Sequence, residues 1–348
     1  MKNLQDVHLF SYNARNYSRS GTFLTNIEKR LDWRYHQVPK GILQSISFVK
    51  KIRKDIGINS KLVVLSGSSL IVLYLRILRF HKRQVVLDLG WTSYEANMSR
   101  NFGKTRFWHL IRAYFLDFLS LHLSNVVFVE TFAQKEFLIK VFFLTKRKLI
   151  VVPTGVNEVE FKEAKMDPGE FAHLGSNFFL FRGKNVPESG LRNLATASWK
   201  LPDGIRLLII TNSIGEEKFN PSNTTVLEGH QQLSLIKYAY KNAYAVIGQV
   251  SDSKRLKRTV PHKAFEAAFF EKAYITPASD GMIEMFGREC LCIIDSPQAD
   301  SISRYLVFLS ERPLLVSEKG KVFNHIYQEN YSQKMLQSIF IQEIQLSN

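Results

Sequence analysis

The sequence predicts an α/β chain of two doubly wound, Rossmann-like domains facing across a cleft. Three observations lead there. The 348 residues suffice for two domains of about 150 to 200 residues, each with its own core. Short apolar runs alternate with helix-length segments along the whole chain, the pattern of parallel strands joined by helical crossovers. A more polar stretch carrying Pro153, Gly155, Pro168 and Gly169 splits those runs into two series.

In the first series, strands are expected at Val7 to Ser11, Leu62 to Leu65, Val85 to Asp88, Val126 to Val129 and Leu149 to Val152. The apolar stretch from Leu62 to Leu75 is broken by Ser66 to Ser69 and ended by Arg76, so it reads as strand, turn and helix and is too short for a bilayer. Segment 153–175 is expected to connect the domains. The second series places strands at Phe178 to Phe181, Ile205 to Ile210, Thr225 to Leu227, Ala245 to Gly248, Ala273 to Thr276 and Cys290 to Ile294. The expected division is 1–155, 156–325 and a terminal segment 326–348, whose helix, from about Asn330 to Gln345, returns to the first domain.

Composition narrows the function. Apolar residues make up 45% of the chain, with charged and aromatic residues scattered throughout, so the chain is ordered and globular. The N-terminal residues lack a basic-then-apolar signal region, and no run of about 18 uncharged apolar residues occurs, so a cytoplasmic location is expected. Cys290 and Cys292 alternate along a strand-like run, a spacing that rarely allows a bridge, so both are expected to be reduced structural thiols. The charge is one-sided. Residues 1–150 hold 25 Lys and Arg against 9 Asp and Glu, whereas residues 151–348 hold 22 of each, so the whole +16 lies in the first half.

Such asymmetry points to an anionic partner for the first domain: membrane surface, acidic glycan or nucleic acid. The segment Arg106 to Leu119, with Arg106, Trp108 and Arg112, mixes basic and aromatic residues at helical spacing, and Lys50, Lys51, Arg53 and Lys54 form a compact basic cluster. These favour an anionic membrane surface. An ordinary core-facing helix at 106–119 fits the same pattern, since Leu110, Phe115 and Leu119 would make a buried stripe. Nucleic acid is not the expected partner, because no motif of a known nucleic-acid reader accompanies the charge.

The most informative stretch runs from Pro261 to Glu284. Pro261 suits the first position of a helix over 263–271, which sets Lys263 and Glu266 three apart on one face. A short strand, Ala273 to Thr276, and a turn at Ser279 to Gly281 follow. A lysine can answer a phosphate, a carboxylate can accept from two ribose hydroxyls, and amides at a turn or helix start can hold a diphosphate or a hexose. The combination suits a sugar nucleotide.

Taken in order, Val126 to Thr131, Leu149 to Asn157, Phe179 to Lys184, Val226 to Gly229 and Pro261 to Ala267 resemble the group 1, glycogen-synthase-like glycosyltransferases. The likeness covers about residues 120–290. It implies the GT-B fold, a second domain that binds a UDP- or GDP-sugar, a first domain that binds the acceptor, and metal-independent transfer with retained anomeric configuration and no cofactor. It further implies that Glu266 holds the ribose hydroxyls, that Lys184 and Arg182 contact phosphate, and that the amides of Gly281, Met282 and Ile283, with the carboxylate of Glu284, meet the donor sugar and phosphate. Gly229 and His230 fall where the chain passes the nucleobase. Gly21 and Thr22 stand at a glycine-bearing loop near the donor phosphates. Two departures stand out. Arg258 occupies the place of a glutamate eight positions before Glu266, and Ser189 that of a phosphate-binding lysine before Gly190, a task Lys263 can take over. Asp88 and Glu95, after a strand end of the first domain, are acceptor or catalytic candidates, alongside Glu284.

The expected activity is transfer of a hexose-type unit to a lipid-linked or surface-glycan acceptor at the inner membrane face. A nucleotide-sugar epimerase or a degenerate, non-catalytic partner subunit are the alternatives.

Overall fold

A computed structural model of the chain describes residues 6–12, 18–25, 33–78, 80, 83–98, 106–167, 175 and 177–346. It divides into two compact units, Met1–Asn157 with Gln333–Asn348, and Glu158–Ser332. The boundaries expected at 155 and 325 fall instead at Asn157 and Ser332.

The first unit runs β1 (Val7–Ser11), α1 (Ser18–Leu24), β2 (Trp33–Gln37), α2 (Ile42–Ile52), β3 (Lys61–Val64), α3 (Leu70–Ile77), β4 (Gln84–Asp88), α4 (Ser93–Met98), α5 (Arg106–Leu123), β5 (Val126–Val129), α6 (Phe132–Phe142) and β6 (Leu149–Val151). Its six strands lie in the order β2-β1-β3-β4-β5-β6, all parallel. Helices cover both faces, which is why β3, β4 and β5 are near-continuous apolar runs with Leu62, Val64, Val85, Leu87 and Val127 fully buried. Strand β2 has no such run, being a half-exposed edge strand that pairs with β1 alone, so apolar patterning misses it.

The second unit runs α7 (Glu158–Glu163), β7 (Phe178–Arg182), α8 (Leu191–Ser198), β8 (Arg206–Thr211), β9 (Thr224–Glu228), α9 (Leu233–Asn242), β10 (Ala243–Ile247), α10 (His262–Phe269), β11 (Tyr274–Pro277), α11 (Asp280–Phe286), β12 (Cys292–Ile294), α12 (Ala299–Ser310) and α13 (Pro313–Asn330). Its parallel sheet has the order β12-β11-β10-β7-β8-β9. Helix α7 occupies part of the segment expected to be only a connection. Cys290 and Cys292 are free and buried, and burial pushes their thiols up to about 12 and about 11, as inert structural cysteines require.

The last helix, α14 (Gln333–Leu346), belongs to the first unit, where it packs on α1. The Phe23 and Phe340 rings stack with centroids 4.6 Å apart, and the Gln333 and Gln337 amides both donate to the Thr22 carbonyl at 3.1 Å. Lys61 donates to the carbonyls of Ile344 and Gln345, closing the helix end.

Two residues past α10, after its cap Phe270, Glu271 takes a left-handed conformation at φ 57°. Glycine is the usual residue there, and a side chain in this conformation costs about 1 kcal/mol. Glu271→Gly is therefore expected to stabilise the second unit by up to about 1 kcal/mol, read as a rise in the denaturant midpoint at unchanged slope.

Candidate functional site

The chain leaves β7, steps outward to β8 and β9, then crosses back to lay β10 on the other side of β7. Such a reversal leaves a crevice beyond the carboxyl ends of the two strands, the usual ligand position in an open α/β sheet. Arg182 is the last residue of β7, and the segment after β10 leads into α10, which carries His262, Lys263 and Glu266.

These residues meet in one charged cluster. Glu266 is 2% exposed, and both of its oxygens are taken. Oε2 accepts from the Arg182 guanidinium and from the Tyr240 hydroxyl, the latter at 2.5 Å. Oε1 accepts from Lys263 Nζ at 3.1 Å and lies 3.0 Å from His262 Nε2. Burial alone would raise the Glu266 carboxyl, but Arg182, Lys263 and His262 outweigh it and hold it well below the usual carboxylate range. Burial, then the Arg182 charge, pushes the Lys263 ammonium down to about 8 despite Glu266, and burial also lowers His262. The side chains of Arg182 and Lys263 stay 21% and 26% exposed against 3% for Glu266. An arriving anion therefore meets the two cations first. Lys184, exposed on the loop after β7, adds a third positive charge within electrostatic reach of Lys263.

A cavity of about 210 Å³ opens beyond the ends of β10, β11 and β12, lined among others by Gln249, Lys257, Thr276, Ser279 and Asp295. It is smaller than a whole nucleotide-sized ligand needs.

Several expected roles change on this geometry. Glu266 does not present a free carboxylate, because four groups already occupy it. The Gly281 amide donates to the Lys257 carbonyl at 3.1 Å, Met282 N to the Ser279 hydroxyl, and Ile283 N to the Ser279 carbonyl at 2.9 Å, so these amides are taken inside the fold. Glu284 is exposed on α11. His230 is exposed on the loop after β9, the edge strand two places from β7. Gly21 and Thr22 lie within helix α1, not in a loop, and Thr22 is fully buried beneath α14. Asp88 is 1% exposed and is gripped by Arg19, whose Nε donates to its two oxygens at 2.7 and 3.0 Å, so it is a structural counter-ion and not an open base. Glu95, also 1% exposed, accepts from the Thr92 hydroxyl at 3.1 Å.

Two members of the cluster were not expected. His262 stands four residues before Glu266 in the same helix, a spacing visible in the sequence. Tyr240 comes from α9, 26 residues away, and nothing local marks it.

On the first unit, helix α5 is not the core-facing helix that its stripe of Leu110, Phe115 and Leu119 allowed. Trp108, Phe115 and Leu119 are 70%, 58% and 45% exposed, Arg112 lies on the same face, and Ala113, Asp117, Ser120 and Leu121 are the buried residues. Lys50, Lys51, Arg53, Lys54 and Arg106 are exposed as well. Among the described residues, no helix is long and apolar enough to cross a membrane.

No protein-family model matches the chain, and no curated protein matches it in sequence. Solved structures do match it in three dimensions. Sucrose-phosphate synthase from Thermosynechococcus elongatus is 12% identical with a TM-score of 0.75 and 98% of each chain covered. HepE from Anabaena, solved in complex with UDP-glucose, is 10% identical with a TM-score of 0.72, covering 98% of this chain and 99% of that one. A glycosyltransferase from Rickettsia africae is 12% identical with a TM-score of 0.67 and 99% of each chain covered. With its two parallel six-stranded sheets, the chain has the GT-B fold.

Proposed function

We propose that the protein is a glycosyltransferase that moves a sugar from a nucleotide sugar, UDP- or GDP-linked, to a lipid-linked or surface-glycan acceptor at the cytoplasmic face of a membrane. The observation that carries this reading is the cluster of Arg182, Lys263 and Glu266 at the switch point of the second sheet. The donor diphosphate draws Lys263 and Arg182 toward itself by charge-assisted hydrogen bonds, and Glu266, released from them, accepts from the ribose hydroxyls. Tyr240 and His262 keep the carboxylate in place during that exchange. The same cations, together with Lys184, neutralise the leaving diphosphate, so the reaction runs without a metal ion. Retention of anomeric configuration rests on the sequence resemblance. The likeness to HepE, which binds UDP-glucose, supports the donor class.

Donor affinity carries a pH signature. Lys263, pushed down to about 8, is fully charged below that pH and loses its proton above it. Affinity for the nucleotide is expected to be constant below about pH 8 and to fall by up to about tenfold per pH unit above it. Lys263→Arg, charged throughout, should flatten the profile when dissociation constants are measured at about pH 7 and about pH 9.

The basic first unit and the exposed face of α5 support a peripheral location on anionic lipid. Burying Trp108 and Phe115 in the lipid interface contributes about 1.5 to 3 kcal/mol each at full burial. Trp108→Ser with Phe115→Ser should therefore lower partitioning onto phosphatidylglycerol vesicles at least about tenfold in co-sedimentation. Equal binding to neutral vesicles, or no effect of the pair, rejects the membrane reading.

A second reading is a donor-binding partner subunit without activity, favoured by Arg258 and Ser189 and by the occupied amides of Gly281 to Ile283. Incubation with radiolabelled UDP- or GDP-hexose and membrane lipid separates the two. Label transferred to the lipid or glycan fraction supports the enzyme, whereas donor binding with no transfer supports the partner subunit.

A further inference from the structure

The second unit has a larger cavity at the opposite end of its sheet. About 830 Å³ opens below the amino ends of β7 and β10, where helices α7, α9 and α10 end and α13 begins. That volume falls within the range of pockets that hold drug-sized ligands, about 300 to 1,000 Å³.

Four lysines, Lys162, Lys237, Lys241 and Lys272, line it against one carboxylate, Glu271. Two of them serve the fold. Lys162 pairs with Glu158 at 2.7 Å, and Lys237 donates to the carbonyls of Lys162 and Ala164, closing the end of α7. The ammonium groups of Lys241 and Lys272 make no hydrogen bond or ion pair among the described residues. Lys272 is half-buried, and desolvation lowers its ammonium even with Glu271 nearby. Half-buried positive charge of this kind is relieved by an anion. Four aromatic residues, Phe161, Tyr244, Phe269 and Phe270, share the rest of the lining with small and polar residues, and Phe269 and Phe270 are partly exposed.

Phe270 also reaches toward the donor cluster. Its ring stacks on Tyr240, centroids 5.2 Å apart and planes 7° from parallel, and the Tyr240 hydroxyl donates to Glu266. One aromatic pair thus separates the lysine-lined cavity from the carboxylate at the other end of the sheet.

We propose that this cavity is a second site that binds a nucleoside polyphosphate, its phosphates on Lys241 and Lys272 and its base against Phe269 and Phe270, and that the Phe270–Tyr240 stack passes its occupancy to Glu266. The binding half is independent of the proposed activity; the coupling half rests on it. The aromatic side chains select a nucleotide over a bare phosphate, since the flat face of a base stacks on an aromatic ring.

The test is calorimetric titration of ATP and of inorganic pyrophosphate into the full chain with UDP saturating, repeated with Lys263→Ala and with Lys241→Ala/Lys272→Ala. Unliganded melting temperatures verify that each variant is folded. One ATP should bind per chain with UDP present and also in Lys263→Ala. The Lys241→Ala/Lys272→Ala pair should weaken ATP at least about tenfold and leave UDP affinity unchanged. Pyrophosphate should bind more weakly than ATP, and ATP should change UDP affinity by the same factor as UDP changes that of ATP. ATP that competes with UDP, fails to bind, or is indifferent to the lysine pair overturns the site. Equal affinity for pyrophosphate overturns the aromatic half. Two affinities that ignore each other overturn the coupling.

Discussion

Glu266→Ala is expected to unfold the second unit more readily by about 3 to 5 kcal/mol and to abolish donor binding. The size follows from what remains. Without the carboxylate, the Arg182 and Lys263 cations, only 21% and 26% exposed, face each other with no counter-charge, and a largely desolvated cation left without its partner is among the costliest single-site lesions. The Tyr240 hydroxyl loses its acceptor too. Glu266→Gln should lose less, because its amide oxygen still accepts one pair of donors. The pH dependence has a definite sign. A carboxyl held well below its ordinary value of 4.5 contributes stability that is complete above about that pH and is lost as the pH falls toward the folded value. The wild-type unit should therefore weaken in mild acid, and Glu266→Ala, already lacking the interaction, should show a flatter profile in denaturant titrations across that range.

Asp88→Ala should do comparable damage to the first unit. Arg19 is 2% exposed, and besides gripping Asp88 it donates to the Thr154 hydroxyl at 3.2 Å and the Val152 carbonyl at 2.8 Å, joining α1, the end of β4 and the exit of β6. Removing the carboxylate leaves a buried guanidinium with one anionic partner fewer, a loss of about 3 to 5 kcal/mol. For a unit of this size that corresponds to a fall of about 10 °C in its melting temperature. A variant that melts like the wild type but loses sugar transfer would restore Asp88 to the reacting centre.

Much of the fold was legible because parallel strands covered on both faces must be apolar throughout. Eleven of the twelve described strands coincide with runs expected from the sequence, and the exception, Trp33–Gln37, is an edge strand none of whose side chains is fully buried. Of the site, the Lys263 and Glu266 pairing followed from helical spacing and is present at 3.1 Å. Arg182, expected at a phosphate, also pairs with Glu266, a contact set by sheet order, which a single sequence does not reveal. Tyr240, on α9 and 26 residues from Glu266, is brought to it only by the tertiary packing of the unit. Gly281 was read as an open amide, yet it is the point where α11 meets the 258 backbone: an added Cβ would sit 3.0 Å from the Arg258 carbonyl carbon. Glycine at such a place serves close packing as readily as ligand approach. Asp88 shows the complementary limit, because a carboxylate after a strand end looks alike in sequence whether it faces a substrate or a buried arginine.

The most direct test of the donor site is calorimetric titration of UDP and GDP into the wild-type chain and into Lys263→Met at about pH 7. Loss of a charge-assisted hydrogen bond, about 1.5 to 3 kcal/mol, corresponds to a weakening of roughly 10- to 150-fold. Saturable binding of one of the two nucleotides, weakened by that factor in the folded variant, is the predicted result. Binding of neither nucleotide, or equal affinity for the wild type and Lys263→Met, would contradict a nucleotide-sugar site on α10.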